Sequence, residues 1–490
     1  MSSPDVRSTN EPIVNSHQSP SSRRKRRESR SGSQRAGVIV VLAAFLMIMM
    51  MAFLAFSIDL GYMGTVDAEM QRAVDSGALA GAAVLGDGPA AATIEAQKFV
   101  GLNPTGQDDT INSPNITVEF GNWDLDTRTF QPGVEPLIAI RVEAMQPARP
   151  LFFARILGHQ SFDGHASAVA TYQPRDIVVV LDYSASMNDD SELGHIAQLG
   201  QVAIEANLFE IYQELGAPVF GNMQFAPVQI NSTNSNIIAQ QLGLTNVPYP
   251  YPGGSWPSYF QYVQTSAAIR NAGYRNKYGY LTWVNYLLER QPQFSQTPDL
   301  YLTSEQPITA VKDALAVFTA LIRDGGTDDR IGLAIYTSAD GTGKLEVPLT
   351  QDFDLVEQTS RQRQAGHYDS FTNIGAGMQK AREELEQNGR DSAVKLIVLM
   401  TDGIANRPNS VAQAKQYVRN ESQNAANDHF PICTISLGAA ADKALMQEVA
   451  DTTSGVHFNI PGGQSVADYE EDLQEAFRKI ADFRPVRLVQ

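Results

Sequence analysis

The feature that most constrains this chain is a run of 23 residues, Ala36 to Ile58, without a charge. As a helix rising about 1.5 Å per residue it spans roughly 35 Å, enough to cross a bilayer core of about 30 Å. A basic cluster, Arg23-Arg24-Lys25-Arg26-Arg27 with Arg30 and Arg35, directly precedes it. Such a cluster can also serve as a nucleic-acid patch. Beside a span, however, positive charge collects on the cytoplasmic side. The reading is a single-pass protein of the cytoplasmic (inner) membrane, N-terminus inside and everything after Asp59 periplasmic or extracytoplasmic. A cleaved signal peptide is the alternative. Its apolar region is usually shorter and ends in a small-residue cleavage site, whereas this run passes into Asp59-Leu60-Gly61-Tyr62.

Charge is unevenly placed. Residues 1–35 hold 8 of the 37 Lys/Arg and 3 of the 54 Asp/Glu, so a net +5 gives way to −22. An acidic body repels polyanions, which excludes nucleic acid as the expected partner. Composition makes 1–35 a disordered, basic cytoplasmic tail. Cys433 is the single cysteine, so no intramolecular disulfide can form. Within Phe430-Pro431-Ile432-Cys433-Thr434-Ile435 it reads as a small buried core residue.

After the span (36–58) the chain continues as a helix. Leu60, Met63, Val66, Met70 and Val74 recur at steps of three or four, an amphipathic stripe, opposite Asp67, Glu69, Arg72 and Asp75. Gly86, Gly88 and Pro89 end it. This helix packs either on its own domain or, as in pilins, against partners. It belongs with a small α+β region, 59–172, whose strands lie around 116–120, 138–142 and 166–170. Turn signals stand at Gly121-Asn122 and Pro132-Gly133.

From Asp176 apolar strands (177–181, 331–336, 396–400, 432–437, 455–459) alternate with helices near 307–323, 373–387, 409–425, 441–451 and 466–482. This is the pattern of an α/β, doubly wound, Rossmann-like parallel sheet covered on both faces. The domain occupies 173–187 and 305–485. Between its parts lies an insertion, 188–304, of about 120 residues where such folds need a short turn. It begins with a helix from Ile196 to Leu215. Its Trp256, Tyr259, Phe260, Trp283 and Tyr286 form either a binding face or its own core, and an ordered insertion needs a core.

Asp182-Tyr183-Ser184-Ala185-Ser186 follows the first strand, at the strand end where open parallel sheets bind ligands. One carboxylate and two hydroxyls at alternate positions are hard oxygen donors, suited to magnesium, with manganese or calcium as alternatives. Thr372, before the 373–387 helix, brings a third hydroxyl. Asp402, in Met400-Thr401-Asp402-Gly403, brings a second carboxylate from a second strand end. The bland reading is a Ser-rich turn and a helix N-cap.

These three elements, in this order, resemble the metal-ion-dependent adhesion site of the von Willebrand factor A family, over 176–187 and 305–483. The resemblance implies that Asp182, Ser184, Ser186, Thr372 and Asp402 hold the cation, Asp402 through a water. It also implies that an acidic side chain of a protein ligand completes the metal shell. The insertion, entering next to the metal loop, is expected to stand over the cation. The basic segment, the span, Asp59-Leu60-Gly61 and Gln71-Arg72-Ala73-Val74-Asp75-Ser76-Gly77-Ala78-Leu79-Ala80-Gly81-Ala82 resemble the start of TadG-like proteins of the Tad (Flp) pilus-assembly system, over 33–86. Pilus-assembly components are therefore expected partners. Neighbouring pseudopilins carry a Glu five residues after their processed Gly, whereas Leu42 stands five after Gly37, which argues against prepilin processing.

The expected function is a non-enzymatic, membrane-anchored adhesion or assembly module acting through cation-dependent protein binding. The alternatives are an envelope hydrolase using the cation to activate water, or a structural module with a non-functional metal site. A hydrolase needs a base, but no His-Glu-x-x-His or Gly-x-Ser-x-Gly occurs. His367, five residues before Thr372, reads as a surface-loop histidine. Gly341-Thr342-Gly343-Lys344 resembles a phosphate loop but has Ser338 in place of the first Gly and Leu345 in place of Ser/Thr. It reads as a hairpin turn.

Overall fold

The computed structural model describes residues 33–106, 111, 115–124, 127–336, 343–391, 393–461, 466–483 and 485–490. The basic cluster up to Arg30, and Ser338, Gly341 and Thr342, lie outside the described residues. The chain divides into two compact units, Met1–Thr65 with Ala148–Phe162, and Val66–Pro147 with Asp163–Gln490.

Helix α1 (Ser33–Ala83) is continuous over 51 residues, and its apolar part is long and apolar enough to cross a membrane. Leu60 was expected on the amphipathic stripe but is exposed. The segment packed on α1 at that level lies over Asp59 and Tyr62, which stand about 100° and about 160° round the helix from Leu60. The buried stripe comprises Val66, Met70, Ala73, Val74, Ala78 and Ala82. Helix α2 (Pro89–Leu102) packs on the same face. A Cβ at Gly77 would meet Val100 Cγ2 at 2.4 Å, and one at Gly81 would meet Ile140 Cδ1 at 2.6 Å. The small residues of the 71–82 segment thus let a helix and a strand approach the α1 backbone.

Strands β1 (Ile116–Asp124), β2 (Thr129–Pro132), β3 (Ala139–Pro150) and β4 (Ser161–Tyr172) form most of one sheet. Gly121-Asn122, expected as a turn, lies inside β1, where Gly121 pairs with both Pro132 and Ala139. The reversal comes after Asp124 instead.

The second sheet starts with β5 (Arg175–Leu181), all seven residues of which are buried. The insertion follows, with helices α3 (Ile196–Leu199), α4 (Gln201–Glu214), α5 (Ser235–Gln241), α6 (Trp256–Thr265), α7 (Ala267–Asn271) and α8 (Tyr280–Arg290), and a two-stranded ribbon of β6 (Val228–Gln229) and β7 (Lys277–Tyr278). The helix expected from Ile196 to Leu215 is broken at Gly200, whose φ of +87° no helical residue adopts. Trp256, Tyr259, Phe260, Trp283 and Tyr286 are buried together as the insertion's own core.

The remaining elements are α9 (Ile308–Asp324), β8 (Arg330–Ile335), β9 (Lys344–Thr350), α10 (Phe353–Arg361), α11 (Ile374–Asn388), β10 (Val394–Thr401), α12 (Val411–Asn427), β11 (Ile432–Leu437), α13 (Lys443–Thr453), β12 (His457–Ile460), α14 (Val466–Asp482) and β13 (Val486–Leu488). The sheet order is β12-β11-β10-β5-β8-β9. Every pairing is parallel except β8 with β9. The sequence pointed to a wholly parallel sheet. The connection from β8 to β9 is too short for a crossover, which needs a dozen or more residues, so the pair must be antiparallel. Strand β13 returns to the first sheet, pairing antiparallel with β4 for the order β13-β4-β3-β1-β2.

Strand β5 alternates between two cores. Ile177, Val179 and Leu181 pack with Leu315 and Phe318 of α9 and Phe477 of α14. Val178 and Val180 pack with Met378 of α11, Val418 of α12 and Leu445 of α13. The doubly wound reading holds. At the start of β5, the buried Arg175 guanidinium donates to Asp329 at 2.8 and 3.1 Å. It also donates to the carbonyls of Ile480, Ala481 and Phe483. Beside it, burial opposes ionisation of Asp176, yet hydrogen bonds from Arg330 and Arg390 hold its carboxyl below the usual carboxylate range.

Asp329→Ala leaves the Arg175 charge buried without its carboxylate. It is expected to cost about 3–5 kcal/mol, read as a lower urea midpoint for the detergent-solubilised chain.

Candidate metal centre

The five residues singled out in the sequence come together at the carboxyl ends of β5 and β10. Asp182 is fully buried one residue beyond β5. Its Oδ1 accepts the Ser184 N–H at 2.8 Å, and its Oδ2 accepts the Thr401 hydroxyl at 3.0 Å. The Ser184 and Ser186 hydroxyls are 3.0 Å apart, and Ser186 Oγ donates to Asp402 Oδ1 at 2.9 Å. Thr372 reaches the same spot: a Cβ on Gly403 would stand 3.7 Å from Thr372 Oγ1 and 3.8 Å from Ser186 Oγ.

Local sequence explains why these loops hold still. Tyr183, between Asp182 and Ser184, is buried and its hydroxyl lies 2.7 Å from Ser360 Oγ, while its carbonyl accepts the Gly366 N–H. The Thr372 backbone is clasped from both sides by Asn406, whose side chain accepts the Thr372 N–H and whose N–H bonds the Thr372 carbonyl. Helix α11 is seated close to the sheet because Gly377 has no side chain; a Cβ there would lie 2.7 Å from Val180 Cγ1 and 2.5 Å from Tyr336 Cβ. Its N-terminus, with the positive end of its dipole, is thereby brought to the site. Asn373 is the N-cap position, but its side chain makes no capping bond and its buried amide atoms have no partner among the described residues.

Electrostatically the centre is two carboxyls without a counter-charge. Among the described residues neither Asp182 nor Asp402 forms an ion pair. Burial first, then the charge of Asp182, hold Asp402 well above the usual carboxylate range. A cavity of about 310 Å³ adjoins the site, lined by Ser186, Asp402, Gly403 and Tyr469 and, from the start of the insertion, by Asp189, Asp190 and His195. Burial raises Asp189 to about 6, with His195 opposing and Asp190 reinforcing, and Asp190 is raised for the same leading reason.

His367, expected on the surface, is buried. It packs against Phe294, with ring centroids 4.9 Å apart, and edge-on to Tyr368 at 4.8 Å. Burial and the charge of Arg363 lower its pKa to about 4, so it is neutral near pH 7. Thr401, Asn406, Tyr183 and the Asp189–His195 wall were not picked out in the sequence. Thr401 could have been, since it lies directly beside Asp402; the others depend on long-range contacts.

Three family matches cover much of the chain. Residues 37–84 match the Flp pilus-assembly TadE/G-like family, 80–170 the Tad-like Flp pilus-assembly family, and 303–473 the von Willebrand factor type A domain. The chain is TadG-like, with a C-terminal von Willebrand factor A domain. No curated protein matches it. Among solved structures it is similar to a von Willebrand factor type A protein from Catenulispora acidiphila, at 11% identity and a TM-score of 0.30, over 74% of this chain and 49% of that one. It is also similar to the PilB minor pilin from Streptococcus sanguinis, at 10% identity and 0.34, over 77% and 79%. An aerotolerance-related membrane protein from Bacteroides fragilis NCTC 9343 matches at 14% and 0.27, over 35% and 89%. Scores this low add nothing to the family matches. In this TadG-like chain the A-domain match begins at residue 303, just before the insertion ends, so the loop residues 182–186 fall outside it and are joined to it by the tertiary structure alone.

Because Asp402 is raised, the folded chain keeps a proton that the unfolded chain releases above about pH 4. In a chelator the wild-type melting temperature is therefore expected to fall as pH rises from that point. Asp402→Asn should flatten the profile, and thermal unfolding across pH checks it.

Proposed function

We propose that the A domain of this TadG-like chain binds one divalent cation, magnesium by preference, and uses it to capture an acidic side chain of a protein partner. The observation that carries this reading is the pair of buried carboxyls, Asp182 and Asp402, joined by hydroxyls and without an ion-pair partner among the described residues. Buried carboxylates without compensation are costly, and hard oxygen donors of this kind suit magnesium. Asp182, Ser184, Ser186, Thr372 and Asp402 would hold the ion. When bound, it supplies positive charge that a partner's carboxylate can meet.

The chain's own residues set the conditions for that meeting. Asp189 and Asp190 make the adjoining cavity acidic, so an acidic partner is repelled until the cation is in place. Next to the centre in sequence, Arg407 stacks on Phe371, the residue before Thr372, at 3.3 Å, and Ile404, two residues after Asp402, is exposed. The family matches support a setting in pilus assembly or surface adhesion, with pilus-assembly components as partners. The charge pattern around α1 supports an inner-membrane anchor with the A domain outside.

Titrating magnesium into the full chain in detergent tests the reading. At about 100 times the dissociation constant, wild type is expected to gain about 2.7 kcal/mol, read as a higher melting temperature with matching calorimetric heat. Asp182→Ala and Asp402→Ala should show neither. Equal responses from wild type and both variants would refute a cation at this centre.

A further inference from the structure

The connection between β3 and β4, within the unit that contains the span, exposes an unusual amount of apolar surface. Phe152, Phe153, Ile156 and Leu157 are 48%, 41%, 86% and 76% exposed, four large apolar side chains within six positions. Soluble surfaces rarely carry such a patch without a partner. The segment's place on α1 identifies what covers it. Asp59 is the first charged residue after the apolar run, so it marks the depth at which α1 leaves the bilayer core. Its carboxylate accepts the backbone N–H groups of Phe152 at 2.9 Å, Phe153 at 3.0 Å and Ala154 at 2.6 Å. Tyr62, one turn further along, meets the Phe152 ring edge-on at 4.9 Å. An aromatic ring at that level is characteristic of the membrane–water boundary.

We propose that Leu151–Gly158 is a second membrane contact, with Phe152, Phe153, Ile156 and Leu157 seated in the headgroup–acyl boundary of the bilayer that α1 crosses. Two further observations fit a lipid occupant. The apolar patch is continuous with the exposed apolar face of the span, since the segment is tied to α1 at Asp59. The backbone is also prepared for a medium poor in water, where unpaired N–H groups are costly. Beyond the three groups held by Asp59, the N–H groups of Leu151, Ile156, Gly158 and His159 bond to carbonyls within the segment or to Gln160. Arg155, exposed at the same level, extends its charge toward headgroup phosphates.

Spin labels test this on the full chain in vesicles of phosphatidylethanolamine and phosphatidylglycerol, in a Cys433→Ser background. Ile156→Cys and Leu157→Cys carry the probes, Phe45→Cys marks the span and Val202→Cys, 84% exposed in α4, marks solvent. Labels at 156 and 157 are expected to gain collisions with oxygen and lose collisions with a water-soluble nickel chelate, as Phe45 does and Val202 does not. If they behave like Val202 while Phe45 reports lipid, the segment faces water and the proposal is wrong. Shielding from both reagents would place a second copy or another protein on the patch, and also overturns it. So would a Phe45 label that reports water. None of these readouts depends on a cation, so they stand apart from the test of the metal centre.

Discussion

Strand β5 is the constraint on which the second sheet depends. It lies in the middle of six strands, is buried on both faces, and feeds one core from its odd-numbered residues and the other from its even-numbered ones. A strand so placed cannot slip by one residue without exchanging its two cores. The register is clamped at the start by Arg175 on Asp329 and by Asp176 between Arg330 and Arg390. Because the start is pinned, the end is too, and Asp182 emerges opposite Thr401 and Asp402 of the neighbouring strand. The candidate centre is therefore a consequence of strand order: β5 and β10 are distant in sequence and adjacent in the sheet.

The insertion leaves the domain and returns to it through a narrow neck. The Asp190 N–H bonds the Gln306 carbonyl, and the Gln306 N–H bonds the Ser191 hydroxyl. Closed ends allow a long insertion to form its own core without spreading the sheet, as domain insertions generally require. Its rings, with Trp283 in the middle of Phe220, Tyr251, Trp256 and Tyr280, are spent on that core. What it contributes to the centre is a polar wall, Asp189, Asp190 and His195, rather than an aromatic face.

Much of this was legible in the chain itself. Long apolar strands alternating with amphipathic helices specify a doubly wound sheet because period and polarity agree with the fold at every step. The five oxygen donors were legible for a similar reason: each stands at a strand end or helix start, where side chains are local to their own element. What was misread shares a different cause. Leu60 obeys the helical period but has no neighbour on its side. Gly121-Asn122 has turn composition but pairs on both sides within a strand. Gly200 interrupts a helix whose flanking residues are periodic, and His367 is polar but enclosed by Phe294 and Tyr368. Periodicity and composition do not report these outcomes, which depend on which side of an element is covered or on the backbone angle of one residue.

The division between the two sources of order is physical. Sequence alone determined the apolar span, the fold class, the single buried cysteine and the five oxygen-bearing residues that gather at the carboxyl ends of β5 and β10, because these follow from local periodicity, composition and spacing. Only the tertiary structure decided that β9 runs antiparallel, that β13 returns to the first sheet, that two carboxyls lie together with no ion-pair partner among the described residues, and that the β3–β4 connection is tied to α1 at Asp59. These are relations between residues far apart in the chain, set by which surfaces must be buried together and which buried polar groups must find a partner.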